Sequence, residues 1–408
     1  MTNVQFEQNQ KIRLKYLFSE RLSGAWGSNP EDGISTVCIR AADIDTDAIK
    51  HKTHDLTMRG YTPDEIEKKE LKVGDLIIEK SGGGENQPVG RVVLFSHTET
   101  SLCSNFLEIL RPDKKTLFPA FGAYLMYSIW KSKLVIPSIK QTTGIQNLDI
   151  QAYLDRKVEL PNLGEQQKVA TYLDRETSHI DQLIAAKEKL LTLLEEKRKA
   201  SITRAVTRGL DPDVKMKDSG VEWLGELPEH WGVKSLKYAA FLKSGMNLKS
   251  EDLIDSGEYP VYGGNGLRGY YDNYIHEGYY SLIGRQGALC GNINYANGKF
   301  WATEHAVVVS IIDDSDTFYL GELLTIMNLN QYSISAAQPG LSVEVIGNLK
   351  IPSPPTEEQK LIAKFIEKET VLLDKLKSST VRTIELLKER RAALISAAVT
   401  GQVEIPEL

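Results

Sequence analysis

The chain has 408 residues, 41% hydrophobic and 25% charged, an ordinary globular composition but too long for one hydrophobic core, so at least two domains are expected. The start, Met1-Thr-Asn-Val-Gln-Phe-Glu, lacks a basic region followed by an apolar run, and no stretch is long enough to cross a bilayer, so the expectation is a cytoplasmic protein with no membrane contact. Cys38, Cys103 and Cys290 form no Cys-x-x-Cys pair, which argues against a disulfide framework or a zinc site, and the net charge of −6 is opposite to the basic average of nucleic-acid binders.

Residues 1–158 carry about 21 basic and 20 acidic groups. Leu76-Ile-Ile-Glu-Lys80 and Arg91-Val-Val-Leu-Phe95 read as strands around the turn Ser81-Gly82-Gly83-Gly84, with a helix over Ala120–Lys131. The glycine run lacks the Gly-Lys-Ser/Thr of a phosphate-binding loop and reads as a tight strand connection. His51-x-x-His54 has no third ligand nearby and reads as a surface pair. Pro63-Asp64 with Glu67-x-Lys69 mimics a nuclease metal pattern, but those carboxylates fall within one predicted helical turn and read as a solvated face.

Leu160-Pro161 closes this segment, and a long helix is predicted over 159–210, where some forty residues contain neither proline nor glycine and are dominated by Glu, Lys, Leu, Ala, Gln and Arg. Val169, Leu173, Ile180, Leu183, Leu190 and Leu194 recur at three-and-four spacing, the pattern of a coiled-coil seam. At 1.5 Å per residue the helix would run about 60 Å, with Gly209 as its stop. A polar connector, 211–231, follows, with Pro212 and Pro228.

The next segment, 232–350, is again rich in strands and turns, with Tyr279-Tyr-Ser-Leu-Ile283 and Ala306-Val-Val-Val-Ser-Ile-Ile312 as strands and a helix around Gly321–Asn330. It is acidic: residues 219–350 carry about 8 basic and 15 acidic groups. Its opening, Leu236-Lys237-Tyr238, echoes Leu14-Lys15-Tyr16. Ile351-Pro-Ser-Pro-Pro355 then precedes a second long helix within 351–408, with Ile362, Ile366, Leu373, Leu376 and Leu387 in matching register and Gly401 as its stop. Glu165-Gln166, Glu176-Thr177, Asp181, Glu196 and Val206-Thr207 recur at a constant offset as Glu358-Gln359, Glu369-Thr370, Asp374, Glu389 and Val399-Thr400.

A globular domain followed by a long helix is therefore used twice. The expected fold is α+β: two mixed α/β domains joined by two long antiparallel helices in an intramolecular coiled coil, with internal pseudo-two-fold duplication. Two heads on such a spacer would measure distance, and heads reading one face of a duplex sit about 34 Å, or a multiple, apart.

Leu160-Pro-Asn-Leu-Gly-Glu165-Gln166 with Leu173-Asp174-Arg-Glu176-Thr177 and Ile180-Asp181-Gln-Leu183-Ile184 resembles the central conserved region of type I restriction–modification specificity subunits. Ser219-Gly-Val-Glu-Trp223 through Pro228-Glu-His-Trp231 resembles the stretch before their second target-recognition domain, and Tyr259-Pro260 through Arg268-Gly with Ile283-Gly-Arg285-Gln-Gly287 resembles their domain pattern. The resemblance implies two target-recognition domains that direct two methyltransferase (modification) subunits and the restriction/translocase subunits to one asymmetric bipartite site in double-stranded DNA. It implies no catalytic residue, metal or cofactor in this chain: S-adenosylmethionine belongs to the modification subunit, ATP and magnesium to the restriction subunit. It also implies that the helical repeats, marked by Glu165, Gln166, Glu358 and Gln359, dock the modification subunits.

Base edges are read best by Arg, Asn and Gln at loop tips, which make two hydrogen bonds to G or A. On that ground the expected DNA contacts are Lys80, Arg91, Gln141 and Gln146 in the first domain and Asn265, Arg268, Arg285 and Gln338 in the second. Tyr262, Tyr270 and Tyr271 border turns and read as packing or backbone contacts. Ser353-Pro354-Pro355 is close to the motif with which amino-methyltransferases grip a flipped base, but Thr356 stands where an aromatic ring should stack, so it reads as a turn before the helix. His305 reads as a loop or core histidine. The competing reading, favoured by the acidic charge, is a coiled-coil scaffold that never meets DNA; a stand-alone nuclease or methyltransferase lacks an identifiable site.

Overall fold

A computed structural model describes residues 10–406 except 86, 142–143, 288 and 334–339. The chain divides into two compact units, one extending to Glu188 and taking in Arg382 onward, the other Lys189–Val381. Each holds one globular domain and part of each long helix, Leu163–Arg208 and Thr356–Val399.

In the first unit a four-stranded antiparallel sheet has the order Phe18–Ser23, Leu107–Pro112, Leu76–Glu79, Val92–Leu94. The run Leu76-Ile-Ile is apolar on both faces because both are covered, one by the helix Pro119–Lys131 and one by a cluster around Ile39, Phe95 and Ile109. That helix buries Phe121, Leu125 and Met126 against the start of the first long helix, Val169, Ala170 and Leu173, and the end of the second, Ile395, Ala398 and Val399.

The second unit is built on a six-stranded sheet in the order Ala240–Ser244, Ala306–Ile311, His276–Gly284, Ile293–Ala302, Tyr259–Gly263, Gly266–Tyr271. Only Tyr259–Gly263 runs parallel to its neighbour Ile293–Ala302 among the pairings described. Its helix Thr317–Ile326 packs Tyr319, Leu320 and Leu323 against Ile202, Ala205 and Val206 of the first long helix and Ile362 and Ile366 of the second. The start of one long helix thus meets the end of the other in one unit, and the reverse holds in the other unit, so the pair runs antiparallel.

The duplication extends to how each domain is tied. The first strand, Gln10–Arg13, pairs antiparallel with the last, Lys157–Leu160, just before the long helix. Gly232–Ser235 pairs in the same way with Lys350–Ser353. Leu14 and Leu236, the first residues of the echoed Leu-Lys-Tyr turns, are buried, and their N–H groups donate to Arg156 O (3.0 Å) and Leu349 O (2.9 Å).

The helix seam departs from expectation in the middle. Leu183, Leu190 and Leu376 are 38, 37 and 46% exposed, whereas Thr380, Ile384 and Arg391 are buried. Arg391 Nε and Nη2 reach Asp181 at 2.9 and 3.3 Å. In the second unit Arg198 meets Asp374 at 3.0 Å and Lys377 meets Glu195 at 2.7 Å. Polar residues at seam positions are invisible to an apolar count, which selects the neighbouring leucines instead.

Candidate nucleic-acid interface

In the second unit three turns converge on an open cleft of about 640 Å³ lined by Gly264, Asn265, Leu267, Arg268, Gln286, Gly287, Leu289 and His305. The hairpin Tyr259–Gly263/Gly266–Tyr271 supplies the first turn, tight because Gly266 takes φ +94°. A Cβ on Gly284 would lie 2.2 Å from Gly264 O, so only glycine lets the second turn approach the first. Arg285 N donates to His305 O at 2.8 Å, bringing in the third. Asn292 Nδ2 donates to Asn265 Oδ1 at 3.3 Å and fixes the amide at the tip.

Asn265, Arg268 and Gln286 are exposed, and Arg268 is in no ion pair among the described residues. A free guanidinium beside two amides can offer paired donors and acceptors to a purine edge. His305 Nε2 lies 3.0 Å from Glu304 Oε1, with the ring 41% exposed at the rim. Behind the cleft, burial pushes the Tyr262 phenol up and its ring stands edge-on to Phe300, so it packs. Of the expected contacts, Asn265 and Arg268 share the cleft. Arg285 does not line it: its guanidinium donates to Ser244 Oγ at 3.2 Å and its carbonyl accepts from Leu341 N at 2.9 Å. Gln338 lies outside the described residues.

In the first unit Lys80, Gln141 and Gln146 come together around the sheet Ile139–Gln141, Gln146–Leu148, Ser81–Gly82. Lys80 N donates to Phe106 O and its carbonyl accepts from Leu148 N, while its ammonium bonds Ser23 Oγ. Gln141 is exposed at the hairpin tip. Gln146 is buried and accepts from Val89 N at 3.1 Å, tying down the glycine turn. Arg91 stands beneath that turn in a bidentate pair with buried Glu79, at 2.8 and 2.6 Å. Both Gln146 and Arg91 therefore serve the rim that Lys80 and Gln141 present.

The repeated Glu-Gln pairs divide between surface and interior. Asn162 and Glu165 exchange hydrogen bonds at 3.0 and 3.2 Å as a capping box at the first helix. Glu358 accepts from Trp231 Nε1 at 3.0 Å and lies 2.8 Å from His230 Nε2. Gln166 and Gln359 are only 1 and 3% exposed. Gln166 Oε1 accepts from Phe118 N (2.8 Å) and its Nε2 donates to Pro161 O (2.9 Å) and Thr116 O (3.0 Å). Gln359 Oε1 accepts from Asp316 N (2.9 Å) and its Nε2 donates to Pro354 O (2.9 Å).

Other expectations are resolved by burial. The three cysteines are free and buried. Pro63–Lys69 is a helix whose Asp64 pairs with Lys68 in solvent. The pair His51/His54 is not wholly at the surface: His54 is exposed, but His51 is buried on Phe95, its Nδ1 2.7 Å from Lys52 O, because its strand faces the core. Sequence reasoning missed Gln286 and His305 as cleft residues, since only the fold brings their turns beside Asn265. In the first unit Arg59 stacks 4.8 Å over the exposed Trp26 and donates to Trp26 O and Gly27 O, each at 3.1 Å. Among the described residues no cluster of three or more His, Cys, Asp or Glu could hold a metal, and no helix is long and apolar enough to cross a membrane.

Comparison with known proteins places these features. The family model for the type I restriction modification DNA specificity domain matches residues 228–385. The EcoprrI specificity subunit of Escherichia coli is 41% identical over 159 residues, covering 36% of this chain and 40% of that protein, so the match spans well under two thirds of that relative. A putative specificity subunit, MjaX, of Methanocaldococcus jannaschii is 25% identical over 379 residues, 86% of this chain and 84% of that one. A chain solved for the complex assembly and conformational transition of the type I R-M system shares the fold with a TM-score of 0.74 at 16% identity, over 97% of this chain and 99% of that one. The HsdS subunit from Thermoanaerobacter tengcongensis also shares the fold, with a TM-score of 0.57 at 16% identity over 98% of each chain. The domain model thus covers residues 228–385, the chain is similar over most of its length to the MjaX subunit, and it shares its fold with the two solved chains of type I systems.

Proposed function

We propose that this chain selects the DNA site of a type I complex without itself cutting or methylating it. Residues 1–158 and 232–350 each read one half of an asymmetric bipartite duplex target; the helices in 159–210 and 351–408 set the spacing and dock two modification subunits, with restriction/translocase subunits joining the assembly. The observation that carries the reading is the duplicated framework bearing two unlike rims, one around Lys80 and Gln141, the other around Asn265, Arg268 and Gln286. A common frame with different tips suits one task performed on two different sequences. S-adenosylmethionine would be held by the modification subunit, ATP and magnesium by the restriction subunit. Partner contact would use the outward surfaces of the helices that Glu165, Gln166, Glu358 and Gln359 begin.

With a net charge of −6, DNA binding requires either basic groups gathered on one face or phosphate attraction supplied by partner subunits. The test is a genome-wide map of N6-methyladenine in cells expressing this chain with its modification partner, against cells expressing the partner alone. A split motif of two unlike halves, present only with this chain, is the expected result. An unchanged map where the complex forms would favour the scaffold reading.

A further inference from the structure

The repeated glutamine is placed for a task other than touching a partner. Both copies are buried, and both make the same two bonds. The amide oxygen takes the N–H of the residue that caps the domain's own helix: Phe118 before Pro119–Lys131, Asp316 before Thr317–Ile326. The amide nitrogen donates a hydrogen bond to the proline carbonyl in the segment leaving the domain, Pro161 or Pro354. One side chain thereby ties together the domain's helix, its exit and the first turn of the long helix. A hydrophobic residue would fill the space but leave a buried N–H and carbonyl unpaired, and the angle between domain and helix would lose two directional constraints.

We infer that Gln166 and Gln359 are equivalent positioning residues that fix the direction in which each domain projects from its long helix, and so set which spacer length between the half-sites is accepted. This rests on the proposed DNA-reading role. It separates two properties usually taken together: rim residues choose the bases, while the glutamines choose the separation at which both halves can be read at once.

The test uses the complex with its modification partner on duplexes carrying both half-sites, with the spacer one base short, cognate or one base long. Gln166→Leu and Gln359→Leu are each expected to keep both half-site sequences while raising methylation at off-by-one spacers, relative to the cognate spacer, by about tenfold. Gln166→Asn and Gln359→Asn, which keep an amide too short to reach both partners, should shift the profile the same way to a smaller extent and guard against a leucine variant that does not fold. Ile109→Ala, which opens a cavity on the face of the first domain's sheet away from the long helices, is the control: it should lower the melting temperature with the spacer profile unchanged. If the glutamine variants behave like Ile109→Ala, or if half-site bases change instead of spacing, the positioning role is wrong. If the wild-type complex shows no split motif at all, it is the DNA-reading role that fails.

Discussion

Arg268 leaves the Gly264–Asn265 turn with its guanidinium in solvent and in no ion pair among the described residues, whereas Arg91 is locked on buried Glu79. The same residue type thus has two physical situations, and replacement should separate them. Arg268→Ala is expected to relax recognition at one position of one half-site, at a cost of about 1–3 kcal/mol in discrimination, with the other half unchanged. Arg91→Ala leaves a carboxylate buried without its partner, so the expected outcome is reduced thermal stability and an unchanged motif. Methylation-site maps of the two variants beside their melting curves check both; equal motif changes would contradict the distinction.

At the scale of the element, the long helices hold their pairing with chemistry that an apolar pattern overlooks. Arg391 is 4% exposed and gives Asp181 two hydrogen bonds, so Asp181→Ala strands a buried cation. The expected loss is about 2 kcal/mol, reduced from the fully buried case because Asp181 is partly solvated. Arg382→Ala, which removes an exposed pair with Glu385 at 3.1 Å, should cost less than about 0.5 kcal/mol. Urea unfolding of both variants tests this, and equal midpoints would show that the seam pair contributes nothing. The helices themselves were legible because proline, glycine and the repeat bound them. The seam was legible in part: Val169, Leu173, Ile180, Leu194, Ile362, Ile366 and Leu373 are buried as expected, whereas Leu183, Leu190 and Leu376 are exposed.

For the whole molecule, the duplication was readable from recurring residues alone, and it carries most of the functional argument. What the sequence did not disclose is what long-range closure creates. Gln286 and His305 become neighbours of Asn265 only through the order of the six-stranded sheet, and the interior role of Gln166 and Gln359 depends on turns some fifty and forty residues upstream, at Phe118 and Asp316. The modular reading makes a prediction at this scale. Exchanging residues 1–158 for another family member's first domain should change one half of the methylated motif and preserve the other; a change in both halves would mean that the domains do not read independently.

The pairing of each domain's first strand with its last has a mechanical consequence. A load travelling along the backbone would enter and leave a domain through adjacent antiparallel strands, Gln10–Arg13 with Lys157–Leu160, or Gly232–Ser235 with Lys350–Ser353. The interior of the domain then lies off the load path, as a closed side loop lies off a taut rope. Any bending of the long helices under such a load would be taken up at these short clamps, leaving the turns around Gln141 and Asn265 in the shape they had at rest.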